Sequence, residues 1–380
     1  MSIFIYCLSS VRFCFSDRVL CGKSFLFLIV FTFISGCHSF GPDGLRGSYS
    51  LYNTAIVDSQ NEQFIQNIVR LHYRDPVFFL DVTNVTASLR MDLAASMDGT
   101  TLGLTQPSTG LNMLTLNAGG AYSSQPTISY SPLQGEGFVK SMLSHVDLHD
   151  IFTLIRSGWS SSRVLGLCVE RINGLDNAST GSGPTPKLSP KQIGPFQRLL
   201  KLFEIVIGEN LIVPKIDPIT KEMQLEIKSN SDFHDVIWEI KQLLELDQKL
   251  EVYHLSSDFL GRSDTISIHS RSLMSILFYL SHHVDTPDTH KKSGLVTVTL
   301  NEDGSKFDWM KTTAGSLFHI LYSEKQPDLA FVSIPYRGHW FYLADNDLES
   351  KSTFMLLTQL FRLQAGAAKS SGPALTLPVR

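Results

Sequence analysis

His145 and His149, four residues apart in the string His-Val-Asp-Leu-His, have a spacing that suits metal chemistry. On one helix face, two such imidazoles can hold a divalent ion, with Asp147 or Asp150 as an oxygen ligand. Asp147 also has the chemistry of an N-cap between two helices, which would set the imidazoles on different elements. A surface or capping role is therefore the default, and no metal centre is expected. His282, His283 and His290 lie in a polar stretch beside Lys291 and Lys292. Adjacent side chains on a helix point apart, so this stretch reads as a solvated loop. The densest aromatic cluster is Tyr336-Arg337-Gly338-His339-Trp340-Phe341-Tyr342. Tyr, Trp and Arg dominate binding hot spots, so Tyr336, Arg337, His339 and Trp340 are candidate partner-binding residues, whereas Phe341 and Leu343 belong in a core. Cys168 sits in an apolar helical pattern and reads as a small buried side chain. No nucleophile elbow, H-E-x-x-H zinc helix, phosphate loop or dinucleotide fingerprint occurs, which leans away from an enzyme and implies no cofactor.

The composition excludes several classes. With 380 residues, 43% of them hydrophobic and 18% charged, the chain can bury enough surface to offset its ordering entropy. The 26 Gly and 16 Pro are ordinary for this length and exclude a collagen-like chain. No apolar run reaches the roughly 18 residues of a membrane-spanning helix. A formal charge of −4 gives no electrostatic case for nucleic acid.

The N-terminal region carries an address. Residues 25–34 read FLFLIVFTFI, a ten-residue apolar run preceded by Lys23 and followed by Ser35, Gly36 and Cys37. A basic residue, a short apolar core and small residues at the exit are the parts of a secretory signal, here 1–36. Four of the five cysteines fall at positions 7, 14, 21 and 37, so a chain cut before Cys37 keeps only Cys168 besides it and forms no internal disulfide network. The removed segment holds Arg12, Arg18, Lys23 and Asp17, which leaves the rest two charges more acidic. Residues 1–18 make an unusually long lead; a start at Val19 or Leu20 would give a compact signal.

Ile34-Ser35-Gly36-Cys37 resembles the bacterial lipobox. The resemblance implies cleavage before Cys37 and its acylation, palmitate included, so that lipid chains replace the signal as the anchor. His38, in place of Asp, leans toward the Gram-negative outer membrane rather than the inner one, with the body facing the periplasm.

The elements that must position these residues follow from periodicity and breakers. Residues 37–50 read as an extended lipidated tether. A capping box at Ser59–Glu62 opens a helix that buries Phe64, Ile65, Ile68, Val69 and Leu71 and stops at Asp75-Pro76. Strands are predicted over 77–93 (alternating in the second half), 111–116 and 127–130, then helices over 137–145, 148–156 and 163–172. The Gly/Ser/Thr/Pro-rich stretch 174–190 reads as a linker between an N-terminal domain, 51–173, and a C-terminal domain, 191–380. The second domain alternates amphipathic helices near 195–208, 233–244 and 273–281 with strands near 211, 223–227, 249–255, 265–268 and 295–299. It ends with paired strands over 329–335 and 339–343, a helix capped by Asn346 that buries Met355, Leu356, Leu360 and Phe361, and the alternating segment ALTLPV. That segment is suited to adding to a sheet edge, its own or a partner's. The fold class is α+β: a two-part body of small mixed or antiparallel sheets with packed amphipathic helices.

Two stretches, 46–177 and 329–380, resemble a group of uncharacterised proteobacterial lipoproteins. The words that carry it are NIVRLHYRDPVFFLDV, SPLQGEGF, ERINGLDN, YRGHWFYLADNDLESKSTF and GPALTLPV. The resemblance implies lipidation and an envelope location, and no activity. The expected function is that of a lipid-anchored envelope protein with a structural or protein-interaction role, its partners being membrane lipid through Cys37 and an envelope protein. The alternative is a periplasmic hydrolase or small-ligand binder using a cleft between the two halves.

Overall fold

The computed structural model describes residues 40–99, 114–184, 186, 189–190, 192–258, 261–367 and 375–378. The signal and Cys37 lie outside the described residues. The chain divides into residues 1–59 and a larger unit, Gln60–Arg380. Helix α1, Phe40–His72, begins where an extended tether is predicted. Pro42 is compatible with that start, because the first turn of a helix has no acceptor for the N–H that proline lacks. Ser59 is consequently mid-helix and caps nothing.

From Gln60 onward, α1 buries the apolar stripe the periodicity predicts, Phe64, Ile65, Ile68, Val69 and Leu71. Its end is a Schellman closure: Arg74 takes a left-handed φ of 61°, and the Asp75 N–H reaches back to the Arg70 carbonyl at 2.8 Å. The chain then enters β1, Phe79–Gly99, which pairs antiparallel with β2, Leu114–Leu133. Two amides of α1 hold the root of β1 as a neighbouring strand would. Asn67 Nδ2 donates to the Phe78 carbonyl (2.8 Å) and Asn67 Oδ1 accepts from the Phe78 N–H (3.1 Å). Gln63 does the same for Leu80 at 3.0 and 2.6 Å. Strand β12, Leu375–Pro378, adds antiparallel to β2 over Thr127–Tyr130, so ALTLPV completes a sheet of its own chain.

Three short helices follow: α2 (Glu136–Leu143), α3 (Leu148–Arg156) and α4 (Ser161–Cys168). The last stops short of the predicted 172, because Val169–Ile172 forms β3 and pairs with Ile268–Ser270. The principal sheet has the order β4-β3-β8-β7-β6-β5, built from β4 (Leu175–Asp176), β5 (Ile212–Ile216), β6 (Met223–Ile227), β7 (Val252–Ser256) and β8 (Thr265–Ser270). Only β7 and β8 run parallel in it. Helices α5 (Ile193–Gly208), α6 (His234–Leu243) and α7 (Leu273–Ser281) accompany it. After the short helix α8, Asp288–Lys292, a second sheet has the order β10-β11-β9, from β9 (Leu321–Ser323), β10 (Ala330–Tyr336) and β11 (His339–Ala344). Helix α9, Leu348–Ala367, buries Phe354, Leu356, Leu357, Leu360 and Phe361. Met355 is 51% exposed, not buried. Asp347 rather than Asn346 caps α9, accepting from the Ser350 N–H at 3.0 Å. The fold is thus α+β, with small mixed and antiparallel sheets and packed amphipathic helices.

The expected linker 174–190 is instead folded at its start. Asn173-Gly174 is the two-residue turn of a β3–β4 hairpin, with Asn173 at φ 48°. Asn173 Oδ1 accepts from the Ser267 N–H at 2.7 Å. Ser179–Ser182 is a turn of 3₁₀ helix, and a Cβ on Gly181 would lie 2.9 Å from the Trp309 ring. At Ala178 and Gly181 the residues are small because the chain is packed tightly there. Strands on either side of it share one sheet, so a division into 51–173 and 191–380 would cut through that sheet. The predicted strand 295–299 is irregular chain that lines a cavity.

Candidate functional site

Arg337-Gly338 is the two-residue loop of the β10–β11 hairpin, with φ of 47° and 81° and Tyr336 paired to His339. Positive φ at both central positions is the type I′ pattern, whose twist suits paired strands. Arginine is an uncommon residue for left-handed backbone, and here its side chain is held from outside the hairpin. The Arg337 guanidinium donates to Asp75 Oδ2 at 2.8 Å, and the Tyr336 hydroxyl donates to the same oxygen. Asp75 is available because the Schellman closure of α1 has just turned the chain there. Burial alone would raise the Asp75 carboxyl, but the bonds from Arg337 and Tyr336 outweigh it and hold the group below its ordinary value.

Tyr73, buried beside Asp75, extends the cluster. The Arg337 guanidinium lies 5.0 Å from the Tyr73 ring centre, within cation–π range. The Tyr73 hydroxyl and His290 Nδ1 are hydrogen-bonded at 2.8 Å, and burial pushes that hydroxyl up to about 12. His290 is pushed down, by burial first and then by His339 and Arg337; its ring sits 5.0 Å from that of His339. Tyr336, Arg337 and His339 therefore converge with Tyr73, Asp75 and His290. Trp340 alternates onto the opposite face of β11, opposite Pro335 and Ser323, and does not join them. Phe341 and Leu343 are fully buried, as expected. The Arg337 side chain is 37% exposed, and the remaining N–H groups of its guanidinium can donate to a carboxylate or carbonyl.

One residue before Tyr73, His72 faces a cavity of about 200 Å³ with His282, Asp285, Lys291, Thr299 and Trp309 in its lining. The lining comes from both the 51–173 and the 191–380 stretches. His72 Nδ1 is 2.7 Å from the Ser281 carbonyl and donates to it, while its buried Nε2 has no partner. His282 stacks on Trp309 at 4.3 Å, and its Nε2 lies 3.2 Å from the Gly181 carbonyl. His283 is fully satisfied, with Nδ1 3.0 Å from the Tyr279 carbonyl and Nε2 2.9 Å from the Thr312 hydroxyl. Burial lowers His72 to about 4, His282 to about 3 and His283 to about 4, so all three are neutral at neutral pH. In the stretch predicted as a solvated loop, His282 and His283 thus belong to a packed wall, whereas Asp288–Lys292 is a short helix with no buried residue.

His145 and His149 are kept apart. Asp147 caps α3, accepting from the His149 N–H at 2.7 Å, and His145 lies before that cap in a bridge to Ser272. Among the described residues, no group of three or more His, Cys, Asp or Glu is placed to hold a metal ion. Cys168 is buried, and burial pushes its thiol up to about 12. Sequence reasoning missed Tyr73, Asp75 and the internal cation Arg271; each acts through partners more than 80 positions away, which no local spacing announces. The chain matches no family model, no curated protein and no solved structure.

Proposed function

We propose that this chain is a lipid-anchored protein of the Gram-negative envelope, held on the outer membrane by an acylated Cys37 and facing the periplasm, with a structural or protein-interaction role. The observation that carries the reading is the order of residues over 23–37: a lysine, a ten-residue apolar run, then Ser35, Gly36 and Cys37. The turn at Arg337 supports the interaction half. Its guanidinium is already oriented by Asp75, so a partner offering a carboxylate would lose little ordering entropy on binding. Metabolic labelling with tritiated palmitate and mass analysis of the mature N-terminus test the anchor. The parent carries label and acyl mass on Cys37, and Cys37→Ser loses both; an unlabelled parent overturns the reading.

A second reading, a small-ligand-binding protein, rests on the unpartnered His72 Nε2 in a cavity lined by both apolar and polar side chains. Ligand binding suits this cavity better than hydrolysis, because its imidazoles are held neutral well below their ordinary value and His283 commits both ring nitrogens to the protein.

A further inference from the structure

Strands β1 and β2 are 21 and 20 residues long, several times the length of any strand in the principal sheet. Beyond the irregularity at Val82/Asn84 their register is unbroken, pairing Val85 with Ile128, Met91 with Tyr122, Leu93 with Gly120 and Met97 with Leu116. Alternate residues of a strand share a face, and so do residues directly opposed across an antiparallel pair. Positions 85, 87, 89, 91, 93, 95 and 97 therefore share one face with the even positions 116–128 of β2. On β1 these are Val, Ala, Leu, Met, Leu, Ala and Met, and the matching positions of β2 carry no charge. The other face takes Asn84, Ser88, Arg90, Asp92, Ser96 and Asp98, which include every charge of 84–99 and 114–129. The two strands thus agree in their alternation, although neither strand alone fixes the other's register.

Among the described residues, the ribbon gains one further strand, β12. Among the described elements, the extensive neighbours of β1 and β2 are each other and β12, and β12 covers β2 only at Thr127–Tyr130. The length of the apolar face suggests what covers it. A tilted strand crosses a bilayer in about 9–11 residues, with apolar residues toward lipid and polar ones toward a lumen. The alternation from Val85 to Met97 spans that distance. No described helix is long and apolar enough to cross a membrane. Hydrocarbon does not tolerate the open edges of a two-stranded ribbon, so the edges must be closed by further strands.

We propose that the stretches 85–97 and 116–128 form a membrane-spanning ribbon, and that copies of this chain join their ribbons edge to edge into a β-barrel with the polar face toward a water-filled lumen. Barrels begin at eight strands, so at least about four copies close the ring. Gln63 and Asn67 root each ribbon on its body through the backbone of Leu80 and Phe78. The inference deepens the envelope reading by giving the anchored body a pore to build.

Full-length protein, purified in mild detergent and added to planar bilayers of phosphatidylethanolamine and phosphatidylglycerol, tests it. The parent gives discrete conductance steps. Met91→Arg and Leu93→Arg, on the apolar face, reduce insertion events at least tenfold, while thermal unfolding shows that their bodies still fold. Ser88→Arg and Ser96→Arg, on the polar face, still open channels, shifted toward anion selectivity. A parent without steps, or equal loss from both faces, overturns the proposal. Cys37→Ser added from detergent separates the two readings: steps without palmitate label leave the ribbon standing, whereas an acylated parent without steps leaves only the anchor.

Discussion

Arg271 is the most demanding single residue among the described ones, because its cation is fully buried and its hydrogen bonds there go to neutral oxygens. Its guanidinium donates to the carbonyls of Leu167 (3.1 Å), Val169 (2.8 Å) and Asn177 and to the Ser182 hydroxyl (3.0 Å), and it lies 4.0 Å from the Tyr279 ring centre. Planar donors in a fork can serve several carbonyls at once, and a lysine cannot. Arg271→Lys is expected to lower unfolding free energy by about 3 kcal/mol, since it leaves buried carbonyls unpaired. Urea titration checks this, and a change below about 1 kcal/mol would show that water substitutes for the lost donors. Asn177 shows the same logic. It lies in an Asn-Ala-Ser sequon, yet its Nδ2 donates to Gly166 and Val169 at 2.8 and 2.7 Å inside the core, so it is a structural residue and not a glycan acceptor.

At the scale of elements, the end of α1 and the β10–β11 turn are joined by few bonds. Asp75 and Arg337 are each about one-third exposed, at 33% and 37%, so solvent screens much of their attraction. A double-mutant cycle of Asp75→Asn and Arg337→Ala is expected to give a coupling of about 1 kcal/mol or less in stability. Arg337→Ala should nonetheless lose a co-purifying envelope protein if the turn is the docking point, and an unaltered set of co-purified proteins would count against that. Arg163 works in the opposite regime. It is buried in α4 and donates to the Glu349 carbonyl at 2.7 Å while its guanidinium meets the Glu349 carboxylate, tying α4 to the first turn of α9.

At the scale of the molecule, the buried histidines make stability depend on pH. His72 and His283 are neutral in the folded state down to about pH 4, while the unfolded chain takes up protons below its ordinary 6.5. The unfolded state therefore binds more protons across that window, and stability falls as pH drops from about 6.5 to 4. His283 alone accounts for about 3 kcal/mol at 1.36 kcal/mol per pKa unit. His319 acts the other way: the Asp285 carboxylate 3.0 Å from its Nε2 raises it, so its contribution is full below 6.5 and is lost as pH rises through the folded value. Denaturation midpoints that stay level from about pH 7 to 4.5 would contradict the burial of these rings. The sequence by itself determined what depends on neighbours along the chain. The apolar stripe of α1, helix α7, the β10–β11 pair and the burial of Phe341 and Leu343 were legible because periodicity and turn chemistry are local. So was the signal-like order at 23–37. Tertiary structure alone decided that Ser179–Ser182 is packed beneath Trp309, that Asp75 meets Arg337, and that the apolar positions of β1 and β2 fall on one face. Those facts depend on register and on pairs far apart in the chain, where a one-residue slip would send each side chain to the other surface.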